Sequence, residues 1–206
     1  GRGNYTIEGI TALSEGIKQS NIQSLSLDNN ELCGIGFDPR SGRLVGNYTI
    51  EGITALSEGI KQRNIQSLSL AGNLICYKGN MEGLNALITA IKEMTNLSSL
   101  NLADNNLTNF GEDMSGVIAL AAALKDYKIT DLNLDDNQLC GVNRYGSGDY
   151  TIEGITALSE GIKQSNIQSL SLNNNALCGI ANGRGTFTIE GITALCEGIK
   201  QSNIQS

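Results

Sequence analysis

The strongest constraint on the fold is a segment that recurs almost unchanged along the chain. The string TIEGITALSEGIKQSNIQSLSL at Thr6–Leu27 is repeated without a change at Thr151–Leu172. Two further copies each differ from it at one residue: Thr49–Leu70, with Arg63, and Thr188–Ser206, with Cys196. Repetition of this kind is typical of proteins in which each unit packs only against its neighbours. We therefore expect one array over residues 1–206, with no domain boundary.

Two looser copies lie in the middle of the chain, at Met81–Leu102 and Ser115–Leu134. Each complete copy continues into Leu-x-Leu-x-x-Asn-x-Leu or its isoleucine variant. The leading leucines of this motif are Leu25, Leu68, Leu100, Leu132 and Leu170. The chain thus contains about five repeats and a truncated sixth, and we expect it to be a fragment of a longer array.

Each unit combines a helical period with a strand period. Ile10, Leu13 and Ile17 form one stripe of a short helix. Thr6 is predicted to cap the start of this helix, and Asn21 is predicted to end it in the left-handed conformation. Two glycines recur inside the helix, which predicts a close approach of the helix to the sheet. Alternation then indicates a half-buried strand whose inward residues are Ile22, Leu25 and Leu27.

These motifs resemble the leucine-rich repeat family in its ribonuclease-inhibitor-like subtype. The resemblance implies an α/β fold: a curved solenoid with a parallel sheet on the concave side and helices on the convex side. It also implies a structural ladder of asparagines in the turns after the strands, formed by Asn30, Asn73, Asn105, Asn137 and Asn175.

The loops between strand and helix depart from the family pattern because several are much longer. With their Leu-Cys-Gly turns, these units resemble expanded-loop arrays. The loops carry most of the arginines together with aromatic residues, which supply contact energy at interfaces. The candidate partner-binding residues on this rim are Phe37, Arg40, Arg43, Arg144, Tyr145, Arg184 and Phe187. The alternative is that the loops are spacers stabilised by stacking on one another.

Composition restricts the function further. The net charge is −7 and the pI is about 4.6, which argues against a nucleic-acid partner. The chain has no histidine, the commonest general base and metal ligand. It shows no phosphate-binding loop and no apolar run long enough to insert into a membrane. We therefore expect no enzymatic activity, catalytic residue, cofactor or metal.

The cysteines and the glycosylation motifs leave the compartment open. Cys33, Cys76, Cys140 and Cys178 follow the same motif position and would lie in one column, while Cys196 stands apart. Pairing of neighbours in the column is geometrically conceivable. The odd count and the stacked thiols favour an intracellular, reducing location instead. N-glycans are expected only if the protein is secreted, at Asn4, Asn47, Asn96 and Asn106.

The sequence thus favours a non-enzymatic protein-interaction or scaffold module. The alternative is a structural subunit that packs into a larger assembly or fibre by self-association. A third hypothesis, regulation of a small GTPase, follows only from the family resemblance.

Overall fold

The computed structural model describes residues 6–38, 40–143 and 145–205. Within these ranges the chain forms a mixed α/β structure of six α-helices and a five-stranded parallel sheet. The helices are α1 Glu8–Lys18, α2 Glu51–Ile60, α3 Glu82–Lys92, α4 Ser115–Ala123, α5 Glu153–Lys163 and α6 Glu190–Ile199. The strands are β1 Ser24–Ser26, β2 Ile35–Phe37, β3 Leu44–Gly46, β4 Ser67–Ser69, β5 Ser99–Asn101, β6 Asp131–Asn133, β7 Ser169–Ser171, β8 Ile180–Ala181 and β9 Arg184–Gly185.

The parallel sheet has the order β1-β4-β5-β6-β7, so every strand lies beside the next one along the chain. The helices follow the same order, and each packs against the next. We call one helix with the strand and turn that follow it a unit, and number the units 1 to 5. Helix α6 begins a sixth. The loop that follows a turn is assigned to the same unit.

The register of the sheet aligns the leading leucine of every unit. Leu25 lies opposite Leu68, which lies opposite Leu100, and the column continues through Leu132 and Leu170. The column packs beneath the helices in one continuous apolar cluster. Because a shift by one residue would turn every leucine outward, burial of this column fixes the register.

The predicted helix start is wrong by one residue. Helix α1 begins at Glu8, and Ile7 occupies the cap position without a side-chain hydrogen bond. In units 2 and 5 the threonine equivalent to Thr6 lies two residues before the helix and accepts a hydrogen bond there. The Oγ1 atom of Thr49 accepts a bond from the Glu51 N–H at 3.2 Å, as Thr151 does from Glu153. These threonines therefore bond the N–H of the first helical residue from two positions before it.

The predicted left-handed end at Asn21 is also wrong. Helix α1 ends at Lys18, and Gln19 keeps a right-handed conformation. Ser20 explains the difference, because its hydroxyl donates to the Ile17 carbonyl at 3.0 Å. Unit 2 has Arg63 at the position of Ser20; there the helix ends one residue earlier and Gln62 takes a φ of 55°. A serine hydroxyl therefore replaces the left-handed residue that commonly ends a helix.

The two helical glycines permit close packing on different sides. The first approaches the turn after a strand, since a Cβ on Gly154 would meet the Leu139 carbonyl oxygen, whereas the second lies against the neighbouring helix. A Cβ on Gly59 of α2 would meet Ser14 of α1, and one on Gly161 of α5 would meet the backbone of Ala121 in α4. Gly16 holds the same position in unit 1, and a Cβ added there would meet nothing within 4 Å. The same glycine is therefore required in one unit and unconstrained in another.

Candidate partner-binding site

The turn after each strand is built on a buried asparagine. Asn137 accepts bonds at Oδ1 from the N–H groups of Asn105 and Leu107, at 3.1 and 3.2 Å. Its Nδ2 donates to the carbonyls of Leu102, at 2.9 Å, and Asp135, at 3.0 Å. One side chain thus joins the turns of units 3 and 4.

The other asparagines of the predicted ladder follow this arrangement with one difference. Asn73, Asn105 and Asn175 are buried and bond the turn of the preceding unit in the same way. Asn30, in unit 1, is exposed, and its Nδ2 donates only to the Asp28 carbonyl of its own turn. Unit 1 has no preceding turn among the described residues, so Asn30 cannot join two units.

The long loops leave and return at a single point of their units. The Thr49 N–H donates to the Cys33 carbonyl at 2.9 Å, and the Thr151 N–H donates to the Cys140 carbonyl at 3.0 Å. Each bond closes its loop at the base. Within the loop of unit 1, β2 and β3 pair as an antiparallel hairpin, and β8 and β9 form a shorter hairpin in unit 5. The loops therefore lie along the same edge of the sheet, which we call the loop edge.

Neighbouring loops contact one another through aromatic rings. The rings of Tyr48 and Tyr77 lie 5.8 Å apart between centroids, and Tyr77 meets Phe110 edge-on at 6.1 Å. The Nζ atom of Lys78 lies 5.5 Å from the Tyr77 ring centroid. Further along, Gly146 lies against the backbone of Arg184. These contacts join the loops into one surface.

A cavity of about 170 Å³ lies on the loop edge between units 1 and 4. It is lined by Leu44, Leu74, Asp104, Asn106, Phe110, Asp136, Gln138, Asn143 and Tyr145. Four units contribute to this lining. The cavity therefore exists only when the loops are packed together.

The side chains on either side of the ladder asparagines form the polar wall of this cavity. Asn106 and Gln138 each follow a ladder asparagine directly and have φ values of 58° and 54°. Asp104 and Asp136 precede the same asparagines, also with positive φ. Left-handed backbone on both sides of a ladder asparagine turns these side chains toward the loops.

Of the rim residues that the sequence predicts, the structure places Tyr145 in the cavity wall, with 58% of it exposed. Arg40, Arg43 and Arg184 are exposed on the loops, and Phe187 is 65% exposed outside the cavity. Phe37 lies in β2. Arg144 lies outside the described residues.

The cavity residues that sequence reasoning missed are Asn106, Gln138, Asp104 and Asp136. The signal that could have found them is a polar residue on each side of a ladder asparagine. Gln138 in particular reads as a solvated turn residue, yet only 8% of it is exposed, and it lines the cavity together with Asn143 and Tyr145 of the unit 4 loop.

The five cysteines are free thiols. Cys33, Cys76 and Cys140 are fully buried, Cys178 is half-buried and Cys196 is exposed. Burial raises the pKa of Cys33 from 9.0 to about 12 and that of Cys140 to about 11, and it raises the pKa of Cys76 in the same direction. Thiols in this state are poor nucleophiles and poor metal ligands.

One glycosylation expectation is corrected by the structure. Asn106 is 3% exposed, and its Oδ1 accepts a bond from the Phe110 N–H, so an attached glycan has no room. Asn47 and Asn96 are exposed, although the Nδ2 of Asn96 donates to Asn64 at 2.7 Å. Asn4 lies outside the described residues.

Within residues 6–38, 40–143 and 145–205, no group of three or more carboxylates or thiols is placed to hold a metal ion. None of the helices in these ranges has the length and apolar character needed to cross a bilayer.

Comparison with known proteins gives a likeness of fold. No protein-family model and no curated protein matches the sequence. Among solved structures, the chain is similar to leiomodin-1 actin-binding site 2, with a TM-score of 0.55 and 13% identity over 97% of this chain and 92% of that one. It is also similar to the tropomodulin C-terminal domain of Caenorhabditis elegans, with a TM-score of 0.55 and 15% identity over 96% of this chain and 93% of that one. The fold is therefore shared with domains of these two proteins.

Proposed function

We propose that the chain is a leucine-rich repeat solenoid of the ribonuclease-inhibitor-like subtype and acts as a non-enzymatic protein-interaction module through its loop edge. The observation that carries the proposal is the cavity on this edge, because turns and loops of four units build it together. Binding sites are commonly placed on loops that a rigid scaffold holds. The bonded asparagine ladder supplies that scaffold.

Actin is the first partner to test. One structure with a similar fold is described as an actin-binding site of leiomodin-1. Co-sedimentation with actin filaments tests binding to filamentous actin, and gel filtration tests binding to monomeric actin. A negative result in both removes actin as the partner and leaves the loop-edge proposal to the next experiment.

Capture from the native source tests the loop edge itself. The wild-type chain, Tyr145→Ala and Glu15→Ala serve as baits. Tyr145 is an exposed ring of the cavity wall, whereas Glu15 is exposed on α1. We expect Tyr145→Ala to lose a specific partner that Glu15→Ala retains, at unchanged melting temperatures. Equal capture by both variants would contradict a loop-edge site.

Self-association is a second candidate that a separate observation favours. Several large apolar residues are exposed on α6 and the loop before it, and these are Ile180, Phe187, Ile189, Ile192 and Ile199. Exposed apolar surface is typical of interaction sites. Sedimentation velocity at rising concentration tests this candidate: growth into larger species that Ile192→Ser suppresses supports assembly, and a monomer throughout contradicts it.

A further inference from the structure

Helix α6 has an apolar side that none of the described elements covers. Ile192, Cys196 and Ile199 lie on this side, and their spacing of i, i+4 and i+7 places them along one face of a helix. Ile192 is 41% exposed and Ile199 is 37% exposed. We call these three residues the open face of α6. An exposed apolar face is typical of a surface that packs against another element.

The same three positions of α5 are covered by a helix. They are Ile155, Ser159 and Ile162, and all three are buried. A Cβ added to Gly198 of α6 would come within 2.7 Å of the Ser159 carbonyl oxygen, and Oγ of Ser159 donates to the Ala194 carbonyl at 2.7 Å. In α5 this face is therefore covered by the glycine side of the next helix.

Helix α1 leaves the complementary side uncovered. Gly9 and Gly16 are exposed and Leu13 is half-buried, at the same spacing along the helix. A Cβ on either glycine would meet nothing within 4 Å. Gly16 is the equivalent of Gly198, so α1 presents the side with which α6 packs onto α5. We call Gly9, Leu13 and Gly16 the open face of α1.

Both faces are occupied where the same helix sequence lies inside the array. Helices α1 and α5 are both EGITALSEGIK. In α5 the glycine side packs on α4, where Gly161 lies against the backbone of Ala121, and the opposite side packs on α6. In the pair of α1 and α2, Gly59 lies against Ser14. The repeated helix therefore contains both halves of an interface that already occurs within the chain.

We propose that the open face of α6 docks onto the open face of α1 in a second copy of this chain. The contact continues the stacking of helices from one molecule into the next, with Cys196 in the place of Ser159 and Gly16 in the place of Gly198. This inference rests on the self-association proposed above and names the two surfaces that perform it. The contact is between helices, so it does not require the two parallel sheets to join.

The composition of the two faces determines the strength and the form of the association. The apolar area is small, so we expect weak association that grows with protein concentration. Each copy has a net charge of −7, and salt should strengthen the association by screening the repulsion between copies. Because the two faces differ, a bound pair still has one free face of each kind. The product is therefore a ring or an open chain of copies rather than a closed dimer.

Sedimentation velocity of the wild-type chain and of one variant for each face tests the proposal. Gly16→Leu obstructs the α1 face, since the added Cβ meets nothing in the single molecule but would meet α6 of the second copy. Ile199→Ser removes apolar area from the α6 face. We expect both variants to self-associate at least about tenfold more weakly than wild type, without a lower melting temperature. Gln19→Leu is the matched control because Gln19 and its equivalents in α2, α5 and α6 are exposed, and it should associate like wild type.

Mixing the two variants tests the pairing of unlike faces. Gly16→Leu retains the α6 face and Ile199→Ser retains the α1 face, so the mixture can form a single native interface. We expect a 1:1 heterodimer that neither variant forms alone. If α6 paired with α6 instead, Gly16→Leu alone would associate like wild type and mixing would add nothing. That result would overturn the proposal.

Labelling of Cys196 with a maleimide provides a second readout. Cys196 is exposed in the single molecule, whereas the other four thiols are buried or half-buried. We expect its labelling rate to fall as the wild-type concentration rises and to stay constant in Gly16→Leu. A wild-type rate that does not change while larger species form would contradict the contact.

These measurements separate this proposal from the self-association on which it rests. Assembly of the wild-type chain that Gly16→Leu leaves unchanged would disprove the contact between α6 and α1 but retain self-association. A wild-type chain that stays monomeric at every concentration would reject a second copy as the occupant of the α6 face, and self-association with it.

Discussion

The buried asparagines show how much of this fold rests on single side chains. Asn137 bonds backbone groups of its own turn and of the turn before it, and these groups lie away from water. No apolar residue of similar size could satisfy them. The amide acts as a connector between units, and its effect on stability depends on having a unit on the preceding side.

Replacing Asn137 with alanine is expected to lower the free energy of unfolding by about 1–3 kcal/mol, because buried N–H and C=O groups lose their partners. Asn30→Ala is the matched control. It removes the same residue type from the same column, but Asn30 is exposed, and we expect a change within about 0.5 kcal/mol. Urea unfolding of both variants measures the difference. Equal losses would show that the ladder does not connect the units.

The buried thiols predict a loss of stability at alkaline pH. Their pKa values are raised in the folded state, to about 12 for Cys33 and about 11 for Cys140, from 9.0. Below pH 9.0 both states hold the proton and the stability is complete. Above it the unfolded chain releases protons first, so the free energy of unfolding falls until the pH reaches the folded values, by about 1.4 kcal/mol per pH unit for each thiol.

Denaturant unfolding at pH values from about 8 to about 11 measures this loss. Cys33→Ala should reduce the slope of the unfolding free energy against pH by the contribution of one thiol. This holds whatever the substitution does to the stability at neutral pH. An identical slope in the variant would mean that the Cys33 thiol is not buried in the folded protein.

At the residue scale, the sequence predicts the residues that recur in every copy. It does not predict the burial of residues that depend on neighbouring loops. The ladder asparagines recur at a fixed position in every copy, so their column follows from the motif. Gln138 occupies an ordinary turn position, yet it is buried in the cavity wall beside Asn143 and Tyr145 of the loop that follows it. The polar sequence around it does not indicate this burial. For the same reason the residues around Asn106 indicate a glycosylation motif and not a cavity wall.

At the scale of the elements, one glycine position separates intrinsic helix propensity from packing. Gly16 in α1 and Gly161 in α5 occupy the same place in identical strings. A Cβ at Gly16 meets nothing, whereas at Gly161 it meets the backbone of Ala121. The two positions differ only in their surroundings, so the surroundings determine whether an added methyl group stabilises or destabilises the fold.

Gly16→Ala should raise the free energy of unfolding by up to about 1 kcal/mol, because alanine is the better helix former. Gly161→Ala should lower it, since α4 and α5 would have to move apart. Thermal unfolding of the two variants, compared with wild type, gives the signs directly. Two shifts of the same sign would contradict the contact between α4 and α5.

The helix ends show why the sequence predicts element boundaries less well than the elements. The stripe of Ile10, Leu13 and Ile17 identifies α1 correctly. After α1 the Ser20 hydroxyl bonds the Ile17 carbonyl, and the same bond recurs at Ser165 after α5 and at Ser202 after α6. Where Arg63 replaces this serine, Gln62 takes a left-handed φ of 55° instead. A periodic pattern extends over many residues, whereas a boundary rests on one.

For the whole molecule, stacking makes stability uneven along the array. A central unit is covered by neighbours on both sides, and Ile53 and Leu56 of α2 are fully buried. Their equivalents in α1, Ile10 and Leu13, are only half-buried. In arrays of this kind the stability of a unit depends on its own packing and on its interfaces with its neighbours.

Amide hydrogen exchange is expected to follow this order. The slowest amides should belong to β5 and its surroundings, such as the Leu102 N–H, which donates to the Asn133 carbonyl at 2.9 Å. The fastest helical amides should belong to α1, which can open without disturbing the centre. Exchange measured by mass spectrometry on peptides of each unit tests this. Uniform protection would indicate that the whole array opens as one cooperative body.

Near-identity of the units also creates an ambiguity during folding. Strands β1, β4 and β7 share the sequence Ser-Leu-Ser, so a chain that collapses could pair β1 with β7 and leave the middle of the array out. The two divergent units oppose this error. Nδ2 of Asn101 in β5 donates to Ser69 at 2.9 Å, and Asp135 after β6 accepts from Ser171 at 2.8 Å. These polar pairs bond the divergent units to their native neighbours. They therefore stabilise the native strand order over its permutations.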